Sequence, residues 1–599
     1  MREFTSPSLV TTEPGMSIPG LLAARLERSP DGVLVERKQG LGGTWTPVTT
    51  RSFVDQVTAV AKGLVARGVG VGDRVSIMSR TRYEWTLLDF AVWAAGAVPV
   101  PVYETSSAEQ IRWILADSDV RLAIVETTAH AAATESVRAA LPGLTGVLVI
   151  DEGGLETLRA EGERVDDTEV ERRSAAAGMA DLATIIYTSG TTGNPKGVEL
   201  THGNFVSLAL EGVAGLEDVV AKPTSRTLLF MPLAHVFARF IQVLCIPSGA
   251  VIGHTPDTKN LLADLASFRP TFILAVPRVF EKVYNSAEQK AAGGVKLRLF
   301  RWAVRTSIEY SRALDQPGGP AAALKAQHAL ADRLVLTKLR GALGGAAEYA
   351  VSGGAPLGER LGHFYRGLGV RVLEGYGLTE TTAPTAVNRP EKTKIGTVGP
   401  PFPGTSARIA DDGEIEISGP HVFRGYHANP AATASALVDG WFRTGDLGSL
   451  DEDGYLTITG RKKEIIVTAG GKNVAPAVLE DRLRAHPLVS QVVVVGDGRP
   501  FIGALVTLDA EMLPGWLASH GLPPMDPAAA SRSHAVLAAL DRAVERTNEA
   551  VSRAESIRKI HVLPSDFTEA NGYLTPSLKV KRSLVLRDFA DRVEELYTR

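Results

Sequence analysis

The stretch LATIIYTSGTTGNPKGV, residues 182–198, joins an apolar run to a loop rich in glycine, serine and threonine. An unbroken run of apolar, β-forming residues is typical of a strand that is buried on both faces of a sheet. The loop offers backbone N–H groups, hydroxyl groups and the ammonium group of Lys196, all of which suit phosphate oxygens. Because ligands of α/β sheets bind at the carboxyl ends of strands, the stretch predicts a phosphate site in an α/β fold.

The loop differs from the Walker type of phosphate loop. That motif is G-x-x-x-x-G-K-[ST], in which the lysine directly follows a glycine and directly precedes a hydroxyl residue. Here Lys196 follows Pro195 and precedes Gly197. The loop therefore predicts a nucleotide site of another kind.

Similar apolar runs recur through the first two-thirds of the chain and alternate with longer helical patterns. This alternation predicts a large N-terminal domain with mainly parallel α/β sheets. Several runs end in small or polar residues, so their ends are expected to form one composite site. The runs are DRVSIM (73–78), AVPVPV (97–102), VRLAIVE (120–126), TGVLVID (145–151), LATIIYTS (182–189), TLLFMPL (227–233), TFILAVP (271–277), AEYAVSG (347–353) and VRVLEGYG (370–377).

The pattern changes toward the C-terminus. Glycine-separated strands such as GEIEISG (413–419) and YLTITG (455–460) predict a small, more antiparallel, barrel-like subdomain. The run VVVVGDGRPFIGALVTLD (492–509), followed by helical AVLAALDRAVERTNEAV (535–551), predicts a small α+β domain. The charged segment TGRKKE (459–464) is typical of a linker between the two domains.

Composition excludes several classes of protein. With 44% hydrophobic and 22% charged residues, the 599-residue chain has the composition of an ordinary globular protein. A formal net charge of -3 gives no reason to expect nucleic acid as a partner. The single cysteine, Cys245, allows no intrachain disulfide and lies in an apolar run, as expected of an inert buried thiol.

The sequence shows neither a secretory signal nor an apolar run long enough to span a bilayer, so a cytoplasmic protein is expected. Residues 291–343 have a helical pattern in which basic residues alternate with apolar ones. This pattern has two interpretations: a basic amphipathic surface that contacts lipid peripherally, or a solvated helix face.

Seven further motifs accompany residues 187–198. In this order and together with YTSGTTGNPKGV, they resemble the signature motifs of the adenylate-forming (AMP-binding) enzymes, and they extend over essentially the whole chain. The motifs are PLAHVF (232–237), SGGAPL (352–357), EGYGLTETT (374–382), GTVGPPFPG (396–404), WFRTGDLG (441–448), GRKKEIIVTAGGKNVAP (460–476) and LTPSLKVKR (574–582).

The chemistry of that family explains why such a set of residues is needed. A carboxylate is a poor acyl donor, so its attack on the α-phosphate of ATP first creates a better leaving group as acyl-AMP, with release of pyrophosphate. In this attack the carboxylate anion must approach the polyanionic ATP while negative charge accumulates on the α-phosphate. Preorganised cations and N–H donors are the expected means of stabilising that transition state.

The resemblance implies an N-terminal AMP-binding domain (1–460), a hinge (461–463) that includes Lys463, and a mobile C-terminal lid domain (464–599). It implies that Thr379 contacts the α-phosphate, that Glu380 and Thr188 hold Mg²⁺, and that His235 lies near the acyl carboxylate. Further implied contacts are a loop over the departing phosphates (Thr188, Ser189, Gly190, Thr191, Thr192, Gly193, Lys196), the adenine site (Gly353, Gly354, Ala355, Pro356, Glu374, Gly375, Tyr376, Gly377), the ribose site (Asp446, Arg461) and the coenzyme A tunnel (Gly470, Gly471, Lys472).

The same resemblance implies a catalytic lysine near the C-terminus. In TPSLKVKR the matching residue is Lys579, but Leu578 stands where the family usually has glycine, and Lys581 follows two residues later. If this tail were a strand, both lysines would point to the same face, so spacing alone does not separate them. The register of SLK favours Lys579.

Other segments resemble the long-chain fatty acyl-CoA synthetases in particular: MPLAHVFAR (231–239), AVPRVFEKVYN (275–285) and LGGAAEYAVSGGAPL (343–357). This implies a fatty acid, ATP and coenzyme A as substrates, with an apolar acid pocket among residues 233–247 and 275–284. Two alternatives are kept: a fatty acyl-AMP ligase that loads a carrier protein, and a non-catalytic nucleotide or acyl sensor. Chain-length preference and oligomeric state stay open.

Overall fold

The computed structural model describes residues 1–38, 40, 43–188, 194–291, 294–575 and 578–598. Three four-stranded sheets make up the larger, N-terminal part, and two of them contain one antiparallel pair each. The predicted α/β class with mainly parallel sheets is therefore confirmed. In spatial order the strands are Val98–Val102, Arg74–Met78, Val120–Val125 and Gly146–Val149 in the first sheet; Arg226–Leu229, Val251–His254, Val33–Lys38 and Trp45–Thr49 in the second; and Phe272–Ala275, Tyr349–Ser352, Arg371–Tyr376 and Ala386–Val387 in the third.

The strand Leu182–Thr188 is an antiparallel exception within the mainly parallel N-terminal part. It pairs antiparallel with Lys196–Thr201, with Thr188 opposite Lys196, and the short strand Gly425–Tyr426 extends this sheet. Only residues 189–195 separate the two long strands, whereas a parallel return needs a crossover of roughly a dozen residues or more. The hairpin is attached to the first sheet, because Thr184 Oγ1 donates to the Pro99 carbonyl at 2.7 Å.

A six-stranded antiparallel sheet follows, as expected for the barrel-like part. Its first strand comes from the N-terminus of the chain and pairs with Ser406–Ile409. The strands are Glu3–Thr5, Ser406–Ile409, Glu414–Ser418, Trp441–Leu450, Leu437–Val438 and Leu456–Arg461.

The C-terminal part has a hydrophobic core of its own, which contains the buried residues Leu479, Val506 and Leu540. We call residues 464–599 the C-terminal unit; the division at 461–463 stays a prediction. Its strands are Val489–Val495, Ile502–Leu508 and Ile557–Val562 in one sheet and Ile466–Val467 with Asn473–Val474 in a small hairpin.

The helices cover the sheets, and no helix of the described residues is long and apolar enough to cross a membrane. Cys245 lies fully buried in helix Val236–Ser248, where burial raises the pKa of its thiol to about 12. The α-helices are Ile18–Arg28, Thr50–Ala66, Tyr83–Ala94, Ala108–Asp117, Thr128–Glu135, Gly154–Gly162, Asp167–Ala176, His202–Gly215, Glu217–Val220, Val236–Ser248, Leu261–Phe268, Pro277–Lys290, Gly294–Leu314, Ala322–Ala331, Thr337–Ala342, Glu359–Leu368, Pro430–Ala436, Pro476–Arg484, Leu513–Ser519, Pro527–Ala530, His534–Asn548, Arg582–Asp588 and Ala590–Tyr597.

Candidate active site

A cavity of about 1110 Å³ lies between the carboxyl ends of the N-terminal strands and the C-terminal unit. It brings together most of the residues that the sequence motifs singled out. The predicted residues that line it are Thr188, Lys196, His235, Gly353, Gly354, Ala355, Gly375, Tyr376, Gly377, Thr379, Glu380, Arg461, Lys463 and Lys579.

Other predicted residues lie outside the cavity lining. Asp446 is buried and accepts a hydrogen bond from Tyr376 Oη. Glu374 accepts from the backbone N–H of Leu357, and Pro356 is exposed. Gly470, Gly471 and Lys472 belong to the small hairpin of the C-terminal unit, where Lys472 Nζ lies 3.4 Å from Glu555 Oε1. Ser189, Gly190, Thr191, Thr192 and Gly193 fall outside the described residues.

Lys579 and Lys581 have different surroundings. Leu574 and Val580 form an isolated bridge, and Leu578 has a φ of 61°. Lys579 opens into the cavity, where burial and then the positive charge of Arg461 lower the pKa of its ammonium group. Lys581 does not line the cavity, and its backbone N–H donates to the Tyr573 carbonyl at 2.8 Å.

His235 caps the N-terminus of helix Val236–Ser248. Its Nδ1 accepts from the backbone N–H of Phe237 at 3.2 Å, so the neutral ring carries its proton on Nε2. Burial, and then the nearby charge of Lys579, lower the pKa of this histidine to about 4. His235 is therefore neutral at pH 7 and is a hydrogen-bond donor on its free side.

Asp446 joins the two walls of the predicted nucleoside site. One carboxylate oxygen accepts from Tyr376 Oη at 2.7 Å and the other accepts from Arg461 Nε at 2.8 Å. The carboxylate is only 4% exposed. Each oxygen has a second lone pair, so capacity for ribose hydroxyl groups remains.

The backbone of residues 376–383 folds back closely on itself at Gly377. A Cβ atom on Gly377 would lie 1.4 Å from the carbonyl oxygen of Ala383. Thr382 and Ala383 both have positive φ angles, of 56° and 102°. The turn Thr379–Thr381 therefore faces the cavity because a glycine permits the close approach of the two ends of the segment.

A tyrosine that the motifs did not single out contacts two of the predicted phosphate-site residues. Tyr426 Oη donates to Glu380 Oε1 at 2.9 Å, and Lys196 Nζ lies 4.9 Å from the centre of the Tyr426 ring. No compositional signal marks Tyr426, because its position depends on its pairing opposite Val198.

Glu374 supports the glycine-rich wall from behind. Its Oε1 accepts from the backbone N–H of Leu357 at 2.9 Å. Burial, followed by the charge of Asp481 on the C-terminal unit, raises the pKa of Glu374 to about 7. Asp481 itself has a pKa raised to about 7, mainly by burial.

One side of the cavity is apolar. The segments 233–247 and 275–284, from which the acid pocket was predicted, contribute the apolar residues Val236, Phe237, Phe240, Ile241, Leu244, Val276 and Pro277. The charged Arg278 also lines the cavity. Residues outside those segments also line the cavity, and the sequence did not assign them to the acid pocket because they are far apart along the chain. They include Leu216, Val220, Phe272, Phe402 and Phe442.

Helix Pro277–Lys290 holds the C-terminal unit against the cavity. Arg278 Nη2 donates to Asp509 Oδ2 at 2.5 Å, and Gln289 Nε2 donates to the Met512 carbonyl at 3.1 Å. An exposed ion pair joins Lys282 to Glu511 at 2.8 Å. These contacts join the two parts of the chain in the orientation in which Lys579 lines the cavity.

Comparison with known proteins supports the same picture. Residues 22–427 match the family described as AMP-binding enzyme, and residues 463–599 match the AMP-binding enzyme C-terminal domain. The chain is 51% identical to the long-chain-fatty-acid–CoA ligase FadD15 of Mycobacterium tuberculosis, over 100% of both chains. It is 32% identical to the human long-chain-fatty-acid–CoA ligase 6, over 88% of this chain and 78% of that protein.

Solved structures show the same fold. The anthranilate CoA ligase AuaEII in complex with anthranoyl-AMP superposes with a TM-score of 0.75 at 20% identity, covering 98% of this chain and 99% of that one. ATP-bound MatB from Rhodopseudomonas palustris superposes with a TM-score of 0.69 at 25% identity, covering 96% and 100% of the two chains.

Proposed function

Because the chain belongs to the AMP-binding enzyme family, we propose that it is a long-chain fatty acid–CoA ligase that forms AMP. It converts a fatty acid and ATP to acyl-AMP and pyrophosphate, and then transfers the acyl group to the thiol of coenzyme A. Full-length similarity to long-chain-fatty-acid–CoA ligases supports the choice of acid and acceptor.

One observation carries the proposal. A lysine from the C-terminal unit, Lys579, opens into the same cavity as the nucleotide motifs and an apolar wall. The carboxylate of a fatty acid whose alkyl chain lies along the apolar wall would approach the α-phosphate of ATP beside the ammonium group of Lys579. Each CH₂ group buried along the wall contributes about 0.8 kcal/mol, so a long alkyl chain is favoured strongly and neighbouring lengths are separated weakly.

The roles of the cavity residues follow from their chemistry. Lys579 bridges the acid and the α-phosphate and offsets the charge that accumulates there. Thr379 donates to the α-phosphate, and His235 donates from Nε2 to the acyl carboxylate. Lys196 and the loop before it contact the phosphates that leave as pyrophosphate.

The nucleoside is held at the junction of the two units. Tyr376 stacks on adenine against Gly353, Gly354 and Ala355. Asp446 receives the ribose hydroxyl groups on the lone pairs that Tyr376 and Arg461 leave free. Residues 461–463 act as the hinge, about which residues 464–599 turn after the first half-reaction. Gly470, Gly471 and Lys472 then line the path of the pantetheine thiol.

The residues present fit a magnesium ion. Glu380 and Thr188 line the same cavity and offer carboxylate and hydroxyl oxygens, which are the ligands that Mg²⁺ prefers. When bound there, the ion supplies positive charge beside the β- and γ-phosphates. Glu380 keeps its Oε2 for this purpose while its Oε1 accepts from Tyr426.

A panel of fatty acids of increasing length, with ATP, Mg²⁺ and coenzyme A, tests the function when AMP and acyl-CoA are measured together. We expect AMP and acyl-CoA to form in equal amounts, and we expect the rate of their formation to increase with the chain length of the acid. Equal rates at all lengths, or activity with aromatic acids only, would contradict the long-chain proposal. Formation of AMP without acyl-CoA, relieved by a carrier protein, would identify a fatty acyl-AMP ligase instead. Binding of ATP or acid without turnover would identify a sensor.

We also propose a cytoplasmic protein that contacts membranes peripherally through residues 294–342. This segment has nine Lys and Arg against three Asp and Glu, a net charge of +6 in a chain of -3. Val295, Leu330 and Leu334 are exposed among these charges, at 78%, 52% and 41%. Basic charge beside exposed apolar side chains suits an anionic lipid surface.

Sedimentation with vesicles tests this contact. We expect binding to vesicles that contain phosphatidylglycerol, little binding to phosphatidylcholine alone, and release by salt. Reversal of three charges, Lys325→Glu, Arg333→Glu and Lys338→Glu, should abolish the binding. Equal sedimentation of the variant and the wild type would show that the segment is a solvated face.

A further inference from the structure

Tyr426 stands between two groups of opposite charge in the candidate active site. Its hydroxyl group donates to Glu380 Oε1 at 2.9 Å, and its ring faces Lys196 Nζ at 4.9 Å. Glu380 and Lys196 form no ion pair with each other. Tyr426 thus contacts the Glu380 carboxylate through its hydroxyl group and the Lys196 ammonium group through its ring.

The position of the ring follows from strand pairing. Tyr426 lies opposite Val198, and Lys196 is two residues before Val198 on the same face of its strand. Diagonal neighbours of this kind are within reach of long and aromatic side chains. An ammonium group at this distance from a ring face is attracted to it.

Tyr426 is itself firmly held. Its backbone N–H donates to Thr433 Oγ1 at 2.9 Å, and the Phe423 ring packs edge-on at 4.9 Å. The same segment also binds Glu380 through its backbone, because the Phe423 N–H donates to the Glu380 carbonyl at 2.8 Å.

We propose that Tyr426 is a positioning residue for the nucleotide: its hydroxyl group orients Glu380 toward the metal, and its ring orients Lys196 toward the leaving phosphates. This inference rests on the proposed function, in which Glu380 binds Mg²⁺ and Lys196 binds phosphate. Without the tyrosine between them, the carboxylate and the ammonium group would be drawn into a direct ion pair. The Glu380 carboxylate would then no longer be available to the metal, and the Lys196 ammonium group would no longer be available to the phosphates.

Two substitutions separate the two contacts. Tyr426→Phe removes the hydroxyl group and keeps the ring, whereas Tyr426→Leu removes both. Tyr455→Phe is a matched control outside the cavity lining. Tyr455 Oη also donates one hydrogen bond, in this case to the Lys392 carbonyl at 2.6 Å, and its ring also faces a lysine, Lys394 at 4.4 Å.

Two binding measurements with a nonhydrolysable ATP analogue are made. Electron paramagnetic resonance measures the binding of Mn²⁺ in the presence of the analogue, and calorimetry measures the binding of the analogue without metal. We expect Tyr426→Phe to weaken Mn²⁺ binding about 10-fold, as loss of a partner of a metal ligand typically does, with metal-free binding unchanged. Tyr426→Leu should weaken metal-free binding as well. Tyr455→Phe should change neither.

Wild-type Mn²⁺ affinity in Tyr426→Phe, or an equal loss in Tyr455→Phe, would overturn the proposal. Thermal melting of the two phenylalanine variants checks that both are folded. Because these binding measurements involve no acid, they hold even if the fatty-acid panel contradicts the proposed substrate. The two proposals can therefore fail independently.

Discussion

Arg278 and Asp509 join the wall of the nucleotide cavity to the C-terminal unit. The guanidinium group donates at 2.5 Å, and the two side chains are 27% and 13% exposed. Arg278 also lies 3.3 Å from Glu281 on its own helix. The pair contributes to the arrangement in which Lys579 reaches the cavity.

Arg278→Gln should therefore slow pyrophosphate release severalfold and leave thioester formation from supplied acyl-AMP at the wild-type rate or above. Lys282→Gln is the control, because the side chains of Lys282 and Glu511 are 60% and 71% exposed. Surface pairs of that kind contribute at most about 1 kcal/mol. Equal losses in both half-reactions of Arg278→Gln would show that the contact is not specific to adenylation.

Lys579→Ala should lower the rate of pyrophosphate release roughly 100-fold, since it removes the charge beside the reacting phosphate. Thioester formation from supplied acyl-AMP should be retained, because the lysine is expected to leave the site before that step. Lys581→Ala should keep both rates, as Lys581 does not line the cavity. Normal adenylation by Lys579→Ala would remove this lysine from the proposed mechanism.

Leu578 holds a left-handed backbone conformation next to Lys579, with a φ of 61°. Left-handed geometry costs residues with a Cβ atom roughly 1–2 kcal/mol relative to the normal regions. Leu578→Gly should therefore be more stable to thermal unfolding of the C-terminal unit than Leu578→Ala, which loses the same apolar group but keeps the strain. If the alanine variant is equally stable, the backbone strain is absent in solution.

Glu374→Gln should change stability in a pH-dependent way. The folded-state pKa of Glu374 is about 7, above the ordinary 4.5, because of burial and then the charge of Asp481. Wild-type stability is thus lost as the pH rises from about 4.5 to about 7, where the buried carboxyl ionises. The glutamine keeps the acceptor for Leu357 and does not ionise.

Melting temperatures at pH 5 and pH 8 test this expectation. The variant should melt close to the wild type at pH 5 and above it at pH 8. Asp481, Glu281, Glu480 and Arg484 lie in the same charged group and are present in both proteins. A difference that is the same at both pH values would contradict the assignment.

The sequence predicted the α/β class because unbroken Val/Ile/Leu runs are typical of strands buried on both faces of a parallel sheet. The glycine-rich motifs at strand ends line one cavity, because the carboxyl ends of those strands converge on one edge. The sequence did not show that Leu182–Thr188 pairs antiparallel, since apolar composition does not distinguish a parallel neighbour from a hairpin partner.

What the sequence did not show depends on distant pairings. Tyr426 approaches Glu380 only through a two-residue strand that pairs more than two hundred residues away. Leu216 and Phe402 join the apolar wall through packing between separate elements. Leu578, next to Lys579, has a positive φ angle, a conformation that is not expected of leucine.

The bond from Asp446 to Arg461 joins the proposed ribose site to the first residue of the proposed hinge. Energetic effects of substitutions at residues in direct contact are not additive. The proposed hinge would therefore couple nucleotide affinity to the ease of rotation of the C-terminal unit. A variant selected for tighter AMP binding at Asp446 would also have an altered turnover between the two half-reactions.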